Sequence, residues 1–483
     1  MTFSADLSPL LPELFLSVAA MVLLLVGVML RTPRPREIGL AAAVCLLAAI
    51  ILTLFTEREA GLQPFSGAFT ADALARIAKV FVFGSAMIGL LMAERYLDRE
   101  RLARPEFPVL ILLSCVGMGL MVSASDLISL YLGIELQSLC VYILAAFNRD
   151  SRRSTEAGLK YFVLGALASC LMLYGSSLIY GMTASTDFEA IALASLQIDS
   201  ASAEGVALTF GLVFLIAGLA FKVSAAPFHM WTPDVYEGSP TPITAFFAAA
   251  PKLAGMILLG RLLIEGFPGL VDQWQPIVWI ISAASMIVGS LSALVQTNIK
   301  RLMAYSSIGH VGYALMGLAA GTEQGLRGLV IYMVIYIVMT LGTFACILSM
   351  RRPEGMSETI ADLAGLSQTQ RGLAWAFTFL FVSLAGIPIF IGFFAKLFVF
   401  LAAVEAGLWV LLGIGVVTSV IGAYYYLSVI RTIWFEEPSQ SFVAERGPAV
   451  SLTVVGGAAL TVLGLLLIGP LREVAAVAAA PLF

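Results

Sequence analysis

The feature that most constrains this chain is the regular return of apolar stretches long enough to cross a lipid bilayer. A spanning helix needs about 20 predominantly apolar residues. Fourteen such stretches follow one another through the 483 residues, at 11–30, 38–56, 72–93, 107–123, 127–147, 159–181, 205–226, 240–264, 275–295, 301–320, 325–349, 372–400, 407–435 and 449–470. In lipid each backbone amide must find its partner within the segment, so stretches of this length read as α-helices. The expected fold is an all-α polytopic membrane protein of about 14 transmembrane helices. Composition agrees: hydrophobic residues make up 60% and charged residues 12%, against about 45–50% and about 25% in soluble domains. The stretches 372–400 and 407–435 exceed one straight span, which predicts tilt or a break. Acidic Asp6 and Glu13, rather than a basic region, stand at the start of the first stretch. It therefore reads as a retained span and not as a cleaved signal.

Several function classes fall away. A formal net charge of -4 gives no electrostatic ground for binding nucleic acid. Cys45, Cys115, Cys140, Cys170 and Cys346 lie inside apolar stretches without metal-binding spacing, so buried free thiols are expected and a metal site is not. The chain carries no dinucleotide fingerprint after a strand, no phosphate-binding loop and no cluster-binding cysteine array. Redox cofactors are therefore not expected on it. Orientation follows from the basic residues of the connections. Odd-numbered loops hold 17 Lys and Arg, among them Arg31, Arg34, Arg36, Arg95, Arg99, Arg153, Lys300, Arg301, Arg351 and Arg446. The other side holds four: Arg58, Arg261, Arg327 and Arg472. This asymmetry predicts an even number of spans with both termini on the periplasmic side.

The lysines carry the functional signal. Of the 27 basic residues only six are Lys, and Lys300 alone is assigned to a loop. Lys79, Lys160, Lys222, Lys252 and Lys396 fall within or at the edge of an apolar stretch, as does Arg76. A desolvated ammonium can release a proton near neutral pH, whereas a guanidinium stays charged. An ionisable group at the bilayer centre costs about 2.5–3.5 kcal/mol on insertion scales, so Glu135, Lys222, Lys252 and Lys396 each need a reason. Proton transfer is one; ionic helix pairing, or snorkelling of Lys222 to the interface, is the other. Small residues Ala248, Ala249, Ala250, Ala254 and Gly255 surround Lys252 and permit close helix approach or water. His310 could relay protons or simply bond a neighbouring helix. Lys160, at the start of its stretch, could relay or snorkel. Arg76 and Lys79 read as anchors or as part of an inter-subunit face. His229, Asp234 and Glu237 read as helix termination and packing, and Tyr424, Tyr425 and Tyr426 as aromatic packing.

Pro227 follows Lys222, and Pro388 precedes Lys396 between Gly386 and Gly392. Proline removes a donor and frees carbonyls that must line a cavity or bind water. Spans 7 and 12 are therefore expected to be broken, one in each half, which is the pattern of internally repeated transporters. Spans 4–8 and 9–13 then form two five-helix repeats, inverted because five is odd. The expected divisions are residues 1–106 (spans 1–3), 107–264 and 275–435 (the repeats) and 449–470 (span 14). In this alignment His310 takes the repeat position of Glu135.

The segments FKVSAAPFHMWTPDVYEGSPTPITAFFAAAPKLAG, NIKRLMAYSSIGHVGYALMGLA and GIPIFIGFFAKLFVF resemble the antiporter-like membrane subunits of bacterial NADH:quinone oxidoreductase (complex I), related to Mrp cation/proton antiporters. WTPDVYEG and APKLAG resemble the subunit N branch. A lysine at 396 and an end at Phe483 argue against the M and L branches. The resemblance implies two inverted repeats around a hydrated polar axis and a proton relay through Glu135, Lys222, Lys252 and Lys396. It also implies FMN, iron–sulfur clusters and quinone in other subunits, and neighbours such as subunits M, K and J in the bacterial inner membrane. On this reading Glu135 holds Lys222 charged; drawing Glu135 away lets Lys222 pass its proton towards Lys252 and Lys396. An Mrp-type sodium/proton antiporter subunit, and a scaffold whose buried charges only specify helix pairing, are the rival readings.

Overall fold

The computed structural model describes residues 7–29, 35–55, 64–199 and 201–483. Its helices are α1 (Leu11–Met29), α2 (Pro35–Phe55), α3 (Ala73–Arg99), α4 (Glu106–Val122), α5 (Leu127–Ala145), α6 (Arg152–Thr183), α7 (Phe188–Ser195), α8 (Ala203–Val223), α9 (Thr232–Gly238), α10 (Thr241–Arg261), α11 (Val271–Ala293), α12 (Ile299–Ala319) and α13 (Glu323–Leu348). A hairpin of β1 (Arg351–Arg352) and β2 (Gly355–Met356) follows, then α14 (Leu366–Thr369), α15 (Arg371–Ala385), α16 (Ile391–Glu405), α17 (Trp409–Phe435), α18 (Pro448–Leu463) and α19 (Ile468–Ala479). Every apolar stretch read from the sequence carries a helix, and among the described residues eleven segments are long and apolar enough to cross a bilayer. The chain is a multi-pass, all-α membrane protein. Arg31, Arg34, Arg58 and Asp6 lie outside the described residues.

Short polar side chains start the helices by accepting otherwise unpaired amides. Asp72 accepts from Ala75, Asp126 from Ile128 and Ser129, Ser202 from Gly205, Asn298 from Lys300 and Arg301, and Thr322 from Gly325. All residues of α10 are buried, and α12 and α13 are nearly so, which makes them the centre of the bundle. The outer helices α1, α2, α6, α17 and α18 keep large apolar side chains exposed, as lipid-facing or partner-facing surfaces do.

Both expected breaks are present. α8 stops at Val223, with Ser224 in the left-handed region, and the chain resumes helix at α9. α15 stops at Ala385, with Gly386 left-handed at φ +80°, and resumes at α16. The two lysines are not equivalent, however: Lys222 stands before its break and Lys396 after it. Lys222 sits in the last turn of its own half-helix, where the carbonyl dipoles favour a cation. Lys396 reaches back from the second half-helix to the free carbonyl of Ala385 at 2.8 Å.

Four further expectations are corrected. Lys160 does not begin its span: α6 starts at Arg152, because the polar residues before 159 continue the helix. Lys300 is not a surface loop charge. It lies in the first turn of α12, buried, donating to the carbonyls of Glu237 and Ser239 and to Glu358, all at 2.8–2.9 Å. Arg261 is likewise buried, its guanidinium held by Asp72 at 2.7 Å and Glu265 at 3.0 Å. Of the cysteines, Cys115, Cys140 and Cys346 are buried, but Cys170 is exposed on the outer face of α6.

Candidate functional site

The site begins where α5, α6 and α8 meet. Glu135, Ser138 and Tyr142 recur at helical spacing on one face of α5. Lys222 donates to Ser138 Oγ at 2.8 Å and to Tyr142 Oη at 3.1 Å, and its Nζ stands 3.9 Å from Glu135 Oε1. Ser169 of α6 donates to the same Glu135 carboxylate. Lys222 is buried, while Glu135 keeps 23% of its side chain exposed. The ammonium is thus held chiefly by two neutral oxygens, so the carboxylate can withdraw without leaving it unsolvated.

Lys252 is buried in the middle of α10. It donates to Ser307 of α12 and lies over the Tyr236 ring at 5.4 Å. No carboxylate faces it within ion-pair distance among the described residues. The hydroxyls of Tyr236 and Tyr336 are buried and make no hydrogen bond of good geometry among the described residues; such groups cost about 1–3 kcal/mol each unless water satisfies them. His310 follows Ser307 on α12. Its Nδ1 lies 2.6 Å from Tyr332 Oη and its Nε2 lies 3.2 Å from Tyr426 Oη, which also bonds Ser306. Lys396 closes the series, donating to Ser419 Oγ at 2.8 Å and lying 4.9 Å over the Tyr313 ring.

One helix, α12, therefore carries Ser306, Ser307, His310 and Tyr313, and lines the whole interval from Lys252 to Lys396. Lys222 and Lys252 are joined differently. Among the described residues no hydrogen bond links them; an aromatic group stands between, with Tyr161 edge-on to Tyr142 at 4.8 Å, stacked on Trp231 at 4.1 Å and edge-on to Phe247 of α10.

The sequence reading missed most of these oxygens. Ser138 and Tyr142 were legible as the i+3 and i+7 neighbours of Glu135, and Ser307 as the i−3 neighbour of His310. Tyr426, read as packing, is a bonded member of the site, whereas Tyr424 points outward. Gly386 also belongs here: a Cβ on it would meet Lys396 Cδ at 2.9 Å and Nζ at 3.1 Å. We predict that Gly386→Ala costs about 1–3 kcal/mol through its left-handed backbone alone and displaces the ammonium from Ala385. Thermal unfolding and proton pumping of the purified assembly check this; both unchanged would contradict it.

Lys160, the remaining relay candidate, lies apart from this row. Its side chain is 41% exposed and pairs with Glu156 at 2.8 Å and Asp234 at 2.6 Å. Asp234 also takes Arg301 at 2.7 Å, which in turn takes Glu237 at 3.0 Å. α9, the short helix after the first break, is thus clamped to α6 and α12. Burial raises the Asp234 carboxyl, but the hydrogen bonds from Lys160 and Arg301 outweigh it and hold the group below its ordinary value. A depressed carboxyl contributes stability above its unfolded pKa and loses it as pH falls through the folded one. We expect Asp234→Asn to lower stability by about 1 kcal/mol at neutral pH, the scale of partly exposed ion pairs. The difference from the unmodified chain should vanish in acid below the ordinary carboxylate range; thermal melts against pH measure it.

The geometry has close relatives. Residues 124–422 match the family described as NADH:quinone oxidoreductase/Mrp antiporter, TM. The chain is 55% identical to "NADH-quinone oxidoreductase subunit N 1" of Rhizobium meliloti, over 100% of this chain and 99% of that one. It is 51% identical to subunit N of Methylobacterium nodulans, over 99% and 98% of the two chains. Among solved structures, a chain of respiratory complex I from Thermus thermophilus superposes with a TM-score of 0.81 at 32% identity, covering 96% of this chain and 99% of that chain. A chain of the Mrp complex from Dietzia superposes with a TM-score of 0.85 over 100% and 98%, but at 21% identity, which speaks for the fold alone. The full-length agreement with curated relatives, together with the buried lysines beside two broken helices, assigns the chain to the NADH-quinone oxidoreductase subunit N family, membrane-arm subunits of complex I.

Proposed function

We propose that this chain moves protons across the membrane through Glu135, Lys222, Lys252 and Lys396, with His310 bridging the last two; Lys160, paired with Glu156 and Asp234 apart from this row, clamps α9 instead. The driving event comes from neighbouring subunits; subunit M and the small subunits K and J are the proposed partners, in a bacterial inner membrane with both termini periplasmic. Electron transfer from NADH to quinone takes place elsewhere in the assembly, on FMN and iron–sulfur clusters that this chain does not hold. Residues 107–264 and 275–435 act as two inverted repeats, flanked by 1–106 and 449–470.

In the resting arrangement ionised Glu135 keeps Lys222 protonated. When a neighbour draws Glu135 away, Ser138 and Tyr142 hold the ammonium but no charge stabilises it, and it gives up its proton. The proton passes by way of water to Lys252, then along Ser307, His310 and Tyr426 to Lys396, and leaves from there. The single observation that carries this reading is the 3.9 Å separation of Lys222 Nζ from Glu135 Oε1, with two neutral oxygens closer than the acid. A tight salt bridge would lock the pair; this one can open.

Glu135→Gln tests it. The variant keeps the shape and the Ser169 contact but loses the charge. The number of protons moved per electron pair should fall in proteoliposomes containing the assembled complex. A full complement of pumped protons, with quinone reduction intact, would end the proposal.

A further inference from the structure

A groove at the arginine-rich end of the spans serves none of the residues discussed so far. It is an open groove between the last turns of α3, the β1–β2 hairpin and the segment leading into α18. Four guanidiniums line it, from Arg95, Arg99, Arg351 and Arg446, with Glu445 among the lining residues. Arg351 is paired with Glu100, and Arg95 also donates to the Arg446 carbonyl at 2.7 Å, which leaves Arg99 and Arg446 the least engaged. Two neighbouring cavities are balanced: Arg36 and Arg104 face Glu94 and Asp98 in one, and Arg153 and Lys300 face Glu237 and Glu358 in the other.

The guanidiniums are incompletely used. Glu445 is 69% exposed and divides itself between Arg95, which bonds it closely, and Arg99, whose Nη2 is 3.7 Å away. Arg446 bonds Gln370 through Nη2, while its buried Nε has no acceptor among the described residues. Below this rim the wall is apolar, with Met92, Leu348 and Val450. The outer face of α18, turned away from Val450, is apolar as well, with Leu452 and Val455 75% and 66% exposed. A charged rim over an apolar wall, at the end of the spans, has the build of a lipid site. Guanidiniums present planar forks that match phosphate oxygens.

We propose that this groove binds the phosphodiester of an anionic phospholipid, whose chains lie along α18. The headgroup takes the free donors of Arg99 and Arg446 and ties the end of α3 to the chain entering α18. A diffusible phosphate could satisfy the same donors, but the apolar wall favours the lipid.

The experiment uses the assembled complex in phosphatidylcholine nanodiscs doped with a photoactivatable phosphatidylglycerol, with cross-links mapped to peptides. Labelling should concentrate on segments 92–99 and 443–455, and fall roughly fivefold for each guanidinium removed in Arg99→Gln and Arg446→Gln. Glu445→Gln, which removes the competing acid and keeps every arginine, should raise labelling and so guards against a misfolded arginine variant. Equal labelling by a photoactivatable phosphatidylcholine, or labelling unchanged in both arginine variants, overturns the proposal. So does loss of labelling on adding excess inorganic phosphate, which would identify a free anion as the occupant.

Discussion

Replacing Lys222 by arginine should leave the complex assembled and reducing quinone, yet cut the protons pumped through this chain to under a tenth. The change keeps the positive charge, the helix position and the capacity to donate to Ser138 and Tyr142. Only the ability to part with a proton is lost. A guanidinium holds its proton far more tightly than an ammonium, so deprotonating it at pH 7 costs about 3 kcal/mol more. Each 1.36 kcal/mol is tenfold in rate, so the arginine route is slower by about two orders of magnitude even before the surroundings are considered. A scaffold needs only the charge and would tolerate arginine; a relay would not. The ratio of protons to NADH oxidised, in proteoliposomes with a pH-sensitive dye, decides between them. A ratio equal to that of the unmodified complex would mean that proton release was never the reason for a lysine here.

The second large effect is expected away from the relay. Glu13 and Lys79 form an ion pair at 2.6 Å between α1 and α3, with side chains 2% and 4% exposed. Lys79 also lies 4.7 Å over the Phe69 ring, and Gly119 of α4 packs so closely on the acid that a Cβ there would stand 2.6 Å from Glu13 Oε1. Lys79→Met should therefore destabilise the chain by about 3–5 kcal/mol, since it strands a buried carboxylate. The double variant Glu13→Leu with Lys79→Met should recover most of that loss, because two apolar side chains of similar volume do without the desolvation of either charge. Melting temperatures of the purified complex, read as a double-mutant cycle, test both parts. Additive losses would show that the two residues do not act as a pair. Lys79, taken from the sequence as an anchor or an inter-subunit contact, is instead an internal fastener of the first three helices.

How far the sequence reaches is clear from particular residues. The breaks at Pro227 and Pro388 were legible because proline and glycine act on the backbone locally, whatever surrounds them. Lys252 was legible as buried because its neighbours on both sides are small and apolar for several turns. Lys300 and Arg261 were not: each stands at a helix end, where the sequence pattern of a solvated charge and a buried one is the same. Their burial depends on acceptors far along the chain, Glu358 for one and Asp72 for the other. The same holds for the site hydroxyls. Serines and tyrosines occur throughout an apolar chain, and nothing local distinguishes Tyr426 from Tyr424.

The sequence by itself determined that this is a helical membrane protein and where its two breaks fall, because hydropathy and backbone chemistry are local properties. The tertiary structure alone decided which charges face one another, that Lys222 and Lys396 approach their breaks from opposite sides, and that α12 joins Lys252 to Lys396. Those are matters of distance across helix interfaces. A hydrogen bond between residues a hundred positions apart is set by how the helices pack, and no periodicity along the chain records it.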